Sequence, residues 1–411
     1  MTSLSAQTQS VLRQPDVLRF VAARFLATLA AQIQIVAVGW QMYDITGDPL
    51  DLGLIGLSQF IPFIALILPA GHAADQYNRS RIVTGCYVVE AICALLLLVM
   101  TLRGVHATWP IFLAMVLLGG ARAFSMPGAQ SLLPNLVPPE SFTRAVAFNS
   151  STFQIASVAG PALGGLLYLA GPAVVYTSVL VLALIAAALM LQVRGGKQNI
   201  NAAREPLNWQ TLLSGLKFVR SRPVVLGAIS LDLFAVLFGG ATALLPMFAS
   251  DILRVGPGGL GLLRTAPSIG AALCAMVIAV SPIARHVGVW MFGGVAVFGV
   301  ATIVFGVSTN FYVSMLALAA LGAADMVSVY VRHLLVQLET PDHIRGRVSA
   351  VSSVFIGASN ELGDFESGVM AKWWGAIRAV VIGGVATLVV AGLWTRLFPV
   401  LWRMQEFPRK E

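Results

Sequence analysis

The chain has 411 residues, of which 57% are hydrophobic and 11% charged, with a mean hydropathy of +0.83. A soluble domain carries about 25% charged residues, so water is not the main solvent of this chain and a soluble enzyme or nucleic-acid module is excluded as its body. The formal charge of +8 is spread through short stretches between apolar runs, a pattern of membrane topology and not of a polyanion-binding face.

A bilayer-crossing helix needs about 20 mostly apolar residues. By that measure the first half holds spans near 17–43, 50–72, 81–102, 107–130, 143–170 and 172–193. The first follows a polar leader with no small-residue cleavage site and reads as a retained span. Cys86, Cys93 and Cys274 all lie inside apolar runs, as small buried hydrophobes and not as a disulfide or metal set.

The polar stretch 194–222 carries Arg194, Lys197, Arg204, Lys217, Arg220 and Arg222 against one acid, Glu205, and is expected to be cytoplasmic. Within it, Leu207, Leu212, Leu213, Leu216 and Val219 fall on one helical face, which predicts an interfacial helix tying the halves together. Six further spans follow near 224–249, 258–281, 287–307, 311–337, 346–371 and 376–402. Asp44, Asp48 and Asp51 mark an outward loop; Arg79, Arg81, Arg345, Arg347, Arg403, Arg409 and Lys410 mark the inside. Both termini are thus expected in the cytoplasm of a multi-pass inner-membrane protein. The predicted domains are 1–193, a linker at 194–222, and 223–411.

The halves repeat. A shift of 202 residues superposes Gly120-Ala121 on Gly322-Ala323, Pro139 on Pro341, Ser150-Ser151 on Ser352-Ser353 and Phe153 on Phe355 without a gap. An offset of six spans preserves orientation, so spans 4 and 5 correspond to spans 10 and 11 as parallel repeats.

Three stretches carry a family resemblance. After span 2 the chain reads Gly71-His72-Ala73-Ala74-Asp75-Gln76-Tyr77-Asn78-Arg79-Ser80-Arg81. The glycine permits close helix contact, the aspartate can cap or pair with a neighbouring helix end, and the arginines hold the turn inside. Span 5 contains Gly160-Pro161-Ala162-Leu163-Gly164-Gly165, where small residues let two helices approach and proline bends the span. Span 11 reads Phe355-Ile356-Gly357-Ala358-Ser359-Asn360-Glu361-Leu362-Gly363-Asp364-Phe365-Glu366-Ser367-Gly368.

The first stretch resembles the loop 2–3 motif of the major facilitator superfamily, with Gln76 standing where the family has a basic residue. The second resembles its exporter-associated motif, and the third the matching helix of its enterobactin-exporter-like branch. The resemblance implies an all-α membrane fold of 12 transmembrane helices in two pseudo-symmetric six-helix bundles. It also implies a latch of Gly71, Asp75, Arg79 and Arg81, and a packing motif of Gly160, Pro161, Gly164 and Gly165. The implied activity is export of siderophores or related compounds.

Ionised side chains at mid-bilayer cost about 2.5–3.5 kcal/mol each on insertion scales, so those present are functional candidates. The helices that line the central cavity in the family correspond to spans 1, 4, 7 and 10, and each holds one: Arg24, Arg122, Asp232 and Asp325. The arginines are expected to hold an anionic substrate or neutralise the aspartates, with one aspartate exchanging a proton. Fixed structural ion pairs are the competing reading. Arg332, seven residues after Asp325, is an alternative partner for it. On span 11, Asn360, Asp364 and Ser367 share a face while Glu361 and Glu366 point elsewhere; these acids join the coupling candidates or are solvated at the outer mouth. Glu90 on span 3 is expected only to pair with a neighbouring helix.

Gly256-Pro257-Gly258-Gly259-Leu260-Gly261 fits a GxGxxG pattern but follows no strand and is read as an outward turn. Gly195-Gly196-Lys197 lacks the rest of a P-loop, and His72, His106, His286, His333 and His343 have no metal-ligand spacing. No catalytic residue, metal, nucleotide, nucleic acid or cofactor is expected. The partners are a small-molecule substrate and membrane lipid, the driving force a proton gradient, and the working form a monomer. The expected function is a proton-coupled secondary exporter of a siderophore-like compound. A broad multidrug exporter is the alternative and a membrane-embedded enzyme or sensor the remote one.

Overall fold

The computed structural model describes residues 14–194, 209–341 and 344–408. Helices fill them, in the order α1 (Pro15–Thr46), α2 (Pro49–Gln76), α3 (Arg79–Leu102), α4 (Trp109–Leu136), α5 (Pro139–Tyr168), α6 (Pro172–Leu191), α7 (Trp209–Ser221) and α8 (Pro223–Phe238). Then come α9 (Gly256–Val280), α10 (Val287–Val307), α11 (Phe311–Glu339), α12 (Arg345–Trp374) and α13 (Ala376–Leu397). Ten helices are long and apolar enough to cross a membrane, the one starting at Pro223 counted through to Ile252. The two remaining long helices, α5 and α12, have 30 residues each, about 45 Å at 1.5 Å per residue, which also spans a bilayer. Their lower apolarity comes from the serines, Asn149, Asn360 and the acids that mark the candidate site.

Lipid explains the outer faces. α6 and α10 contain no charged residue at all, and side chains such as Leu316 at 71% and Val280 at 87% exposure point away from the protein. A helix apolar on every side is stable only in a core or in lipid. Trp109, Tyr312, Trp373 and Trp374 are exposed at helix ends, the position of an interfacial aromatic belt.

The chain divides into two units, 1–45 with 58–207, and 46–57 with 208–411. In the first, α3 packs on α4 and α6, and one apolar cluster joins Phe20 and Ala27 of α1, Tyr87 of α3, Leu132 of α4, Ala145 of α5 and Met190 of α6. In the second, α11 packs on α9 and α10 and α10 on α13, around a cluster that includes Leu231, Met291, Val331 and Val390. The residue 46–57 segment, the start of α2, sits in this second unit against α12: a Cβ on Gly53 would lie 3.0 Å from the Asp364 carbonyl oxygen.

Helix boundaries differ from expectation at three places. The span expected at 224–249 is broken: α8 ends at Phe238, and a 3-10 turn (Ala241–Leu244), a short helical stretch (Leu245–Met247) and a π turn (Phe248–Ile252) complete it. Gly239-Gly240 permits the break, since a Cβ on Gly240 would meet the Gly363 carbonyl carbon of α12 at 2.7 Å, and Pro246 has no N–H to give the ladder. The GxGxxG stretch is no turn: apart from Gly256 at φ +66°, it forms the first turns of α9. Helix α7 buries Val219 against Val348 and Val351 of α12 but leaves Leu216 exposed; the side chains of Leu212 and Leu213 lie outside the described residues. Leu207 and the rest of the linker from 195 to 208 lie outside the described residues.

Candidate functional site

Asp232 of α8 and Arg332 of α11 form an ion pair with both side chains almost wholly buried, at 5% and 3% exposure. The pairing corrects the expectation that Arg332 serves Asp325. Two helical turns separate those two along α11, about 10 Å at 1.5 Å per residue, whereas Asp232 lies directly across on the neighbouring helix. Asp325 itself has no hydrogen bond or ion pair among the described residues. It lines a small cavity with Asp232, Ser328, Val295 and Phe298, and the Ser328 hydroxyl is buried there with no hydrogen-bond partner.

A second group sits on α12. Asp364 interacts electrostatically with Glu361 one turn earlier, faces Arg264 of α9, and accepts a hydrogen bond from the Thr242 side chain. Glu361 is therefore beside Asp364 and does not point elsewhere: a Cβ on Gly56 would lie 3.0 Å from Glu361 Oε2 and 3.5 Å from Asp364 Cβ. Asn360 turns outward and donates to the Ile356 carbonyl at 2.9 Å. Glu366 pairs with the Ser367 hydroxyl. Sequence reasoning missed Arg264; an arginine inside the apolar run of α9, under the same cost argument that selected Arg24 and Arg122, was the available signal.

In the first unit Arg24 donates to Asn149 Oδ1 at 3.3 Å and lies 5.8 Å from the Phe20 ring centroid, with Tyr87 in electrostatic reach. Arg122 lies 5.5 Å from the Phe63 ring. Such guanidinium-on-ring contacts hold a cation in a partly apolar wall. Glu90 is buried in the α3 stripe and its Oε1 has no hydrogen bond, so the expected interhelical pair at that oxygen is absent among the described residues. Gln34 of α1 is buried with both amide atoms unpartnered.

The motif residues have defined contacts. Arg79 donates from Nε to the Ala74 carbonyl at 3.1 Å and from Nη1 to the Ser131 carbonyl at 3.0 Å, tying the α2–α3 turn to α4. Arg81 is exposed and Gly71 buried, while the Asp75 side chain lies outside the described residues. Gly160 and Gly164 bring α5 onto α1: a Cβ at Gly160 would meet Gln32 Cβ at 2.4 Å, and one at Gly164 the Ile33 carbonyl oxygen at 2.9 Å. Pro161 and Gly165 are buried beside them. Among the described residues no group of three or more His, Cys, Asp or Glu side chains is placed to hold a metal ion.

At the start of α2, Lys372 Nζ donates to Asp48 Oδ2 at 2.6 Å and the Leu50 N–H donates to Oδ1 at 2.9 Å. The hydrogen bond from Lys372 holds the Asp48 carboxyl below its usual range, against a smaller upward pull from burial.

Residues 20–363 match the family model described as Major Facilitator Superfamily. The chain belongs to that superfamily. Curated relatives include the enterobactin exporter EntS of Escherichia coli O81 (strain ED1a) and of Shigella boydii serotype 18, each 26% identical over 374 residues, spanning 89% of this chain and 84% of the relative. The fold is shared with a bacterial homologue of the lysosomal transporter Spinster (TM-score 0.75, 14% identity, 94% of this chain and 96% of that one). It is shared too with a bacterial homologue of the iron transporter ferroportin (TM-score 0.68, 16% identity, 92% and 98%). The protein is thus a multi-pass membrane transporter of the major facilitator fold, built as the repeat implied: α4 and α11 begin at Trp109 and Phe311, an offset of 202 residues.

Proposed function

We propose that this transporter is a proton-coupled exporter that moves a siderophore or related anionic small molecule out of the cytoplasm by alternating access. It sits in the inner membrane, has both termini in the cytoplasm, works as a monomer and draws on the proton gradient without nucleotide or cofactor. The observation that carries the reading is likeness to enterobactin exporters along 89% of the chain. Arg24 and Arg122, each beside an aromatic ring, supply positive charge for an anion. Asp325 supplies the coupling group: it is a carboxyl with no paired cation, in a cavity walled by Val295 and Phe298, whose protonation removes a charge that the apolar wall disfavours. Arg332, held by Asp232, and the acids Glu361, Asp364 and Glu366 complete the charge set of the second unit.

Uptake of candidate siderophores into inside-out vesicles, with and without an imposed pH gradient, tests this. Gradient-dependent uptake is expected, falling in D325N to the level of vesicles lacking the protein while expression is kept. Uptake that ignores the gradient removes proton coupling, and inhibition by cationic dyes in place of siderophores makes the protein a broad drug exporter.

A further inference from the structure

We infer that the second unit holds a binding site for one water molecule between Asp325, Ser328 and Asp232, and that this water joins Asp325 to the Asp232–Arg332 pair. The inference rests on the reading of Asp325 as the coupling carboxyl. Ser328 is three residues after Asp325, on the same face of α11. At 2% exposure its hydroxyl has no hydrogen-bond partner among the described residues, a state that buried polar groups in proteins avoid. The cavity that Ser328 lines measures about 10 Å³, enough for one water, and a buried water needs two to four polar partners. Three polar residues line this cavity, Ser328, Asp325 and Asp232.

Neighbouring elements leave this occupant favoured. An anion is repelled by the two carboxyls. A bare divalent cation takes about six or more oxygen ligands, and among the described residues only three polar ones line this cavity. Helix α10 presents Val295 and Phe298 to the cavity. Of the titratable groups of α9, Arg264 faces Asp364 and Cys274 packs into an apolar cluster. On α12, Asp364 lies with Glu361, Arg264 and Thr242 and Glu366 with Ser367, and on α11 His333 is exposed.

The water makes a relay. The Asp325 O–H bond breaks as its proton passes to the water, one water O–H breaks as a proton passes to Asp232, and the water is regenerated. One proton has moved, Asp325 is left ionised, and Arg332 faces a neutral acid and loses its charge partner. Protonation at Asp325 thus reaches an ion pair that joins α8 to α11.

Infrared difference spectra of the full chain in lipid, recorded in D2O and in D2 18O, test the site. The wild type is expected to show an 18O-sensitive O–D band of an isolated internal water, lost in both S328A and D325N. At acid pH the carboxyl C=O band that D325N abolishes is expected to move to higher wavenumber in S328A, as that carboxyl loses a hydrogen-bond partner. Ser328→Ala removes one oxygen that bonds to no other side chain, so unchanged thermal unfolding is expected and certifies the variant. Absence of any 18O-sensitive band, or a band that S328A leaves in place, overturns the water site. Failure of proton coupling is distinguishable: D325N vesicles that keep gradient-driven uptake, with a band that still depends on Ser328, overturn the coupling role and leave the site standing.

Discussion

Asp232 and Arg332 show how much a single residue matters in this chain. Both charges are buried, and a buried pair is costly to break because the surviving charge has neither water nor partner. Asp232→Asn alone is expected to destabilise the protein by about 3–5 kcal/mol, whereas the double variant D232N/R332Q, which removes both charges, is expected to recover most of that loss. Thermal unfolding in one detergent, compared across the three proteins, reads the difference. Equal stability of the single and double variants would mean that the pair does not hold α8 to α11. Sequence spacing on α11 offered Arg332 to Asp325, because only intrahelical distances are visible along a chain; the partner one hundred residues earlier is visible only once the helices are packed.

At the scale of elements, the spans were legible because the bilayer imposes a length and forbids unpaired backbone polar groups, so an apolar run of that length had to be helical. The break after Phe238 was not legible, since Gly239-Gly240 reads as an ordinary glycine pair until α12 is found at 2.7 Å from it. The start of α2 and the end of α12 meet in the Asp48–Lys372 contact. Because the Asp48 carboxyl is held below its usual range by Lys372, its stabilisation is present above the ordinary carboxylate range and is lost as pH falls through the depressed value. The wild type is therefore expected to unfold at a higher temperature than D48N at pH 6, with the gap closing as the medium is acidified. A gap independent of pH would remove the charge from that contact. The pair is partly exposed, so added salt is expected to narrow the gap as well.

For the whole molecule, the repeat offset of 202 residues and the family match describe two related bundles, and the distribution of arginine and lysine predicts how they are threaded. Helix α3 gives a compact check, with exposed Arg81 at one end and exposed His106 beyond the other. In a background without Cys274, an impermeant maleimide added to intact cells is expected to label H106C and to spare R81C until the membrane is opened. The reverse pattern would invert every span.

Composition and hydropathy by themselves determined that the chain lives in lipid and which of its runs are long and apolar enough to cross it. Those properties follow from solvation, which acts on each residue according to its own chemistry and its neighbours in sequence. Tertiary structure alone decided which charges answer each other: Arg332 with Asp232, Arg264 with Asp364, Asp48 with Lys372, and Asp325 with no ionic partner. Electrostatic energy depends on distances between helices, and those distances are set by the close contacts of small residues on different spans, which no periodicity along one span records.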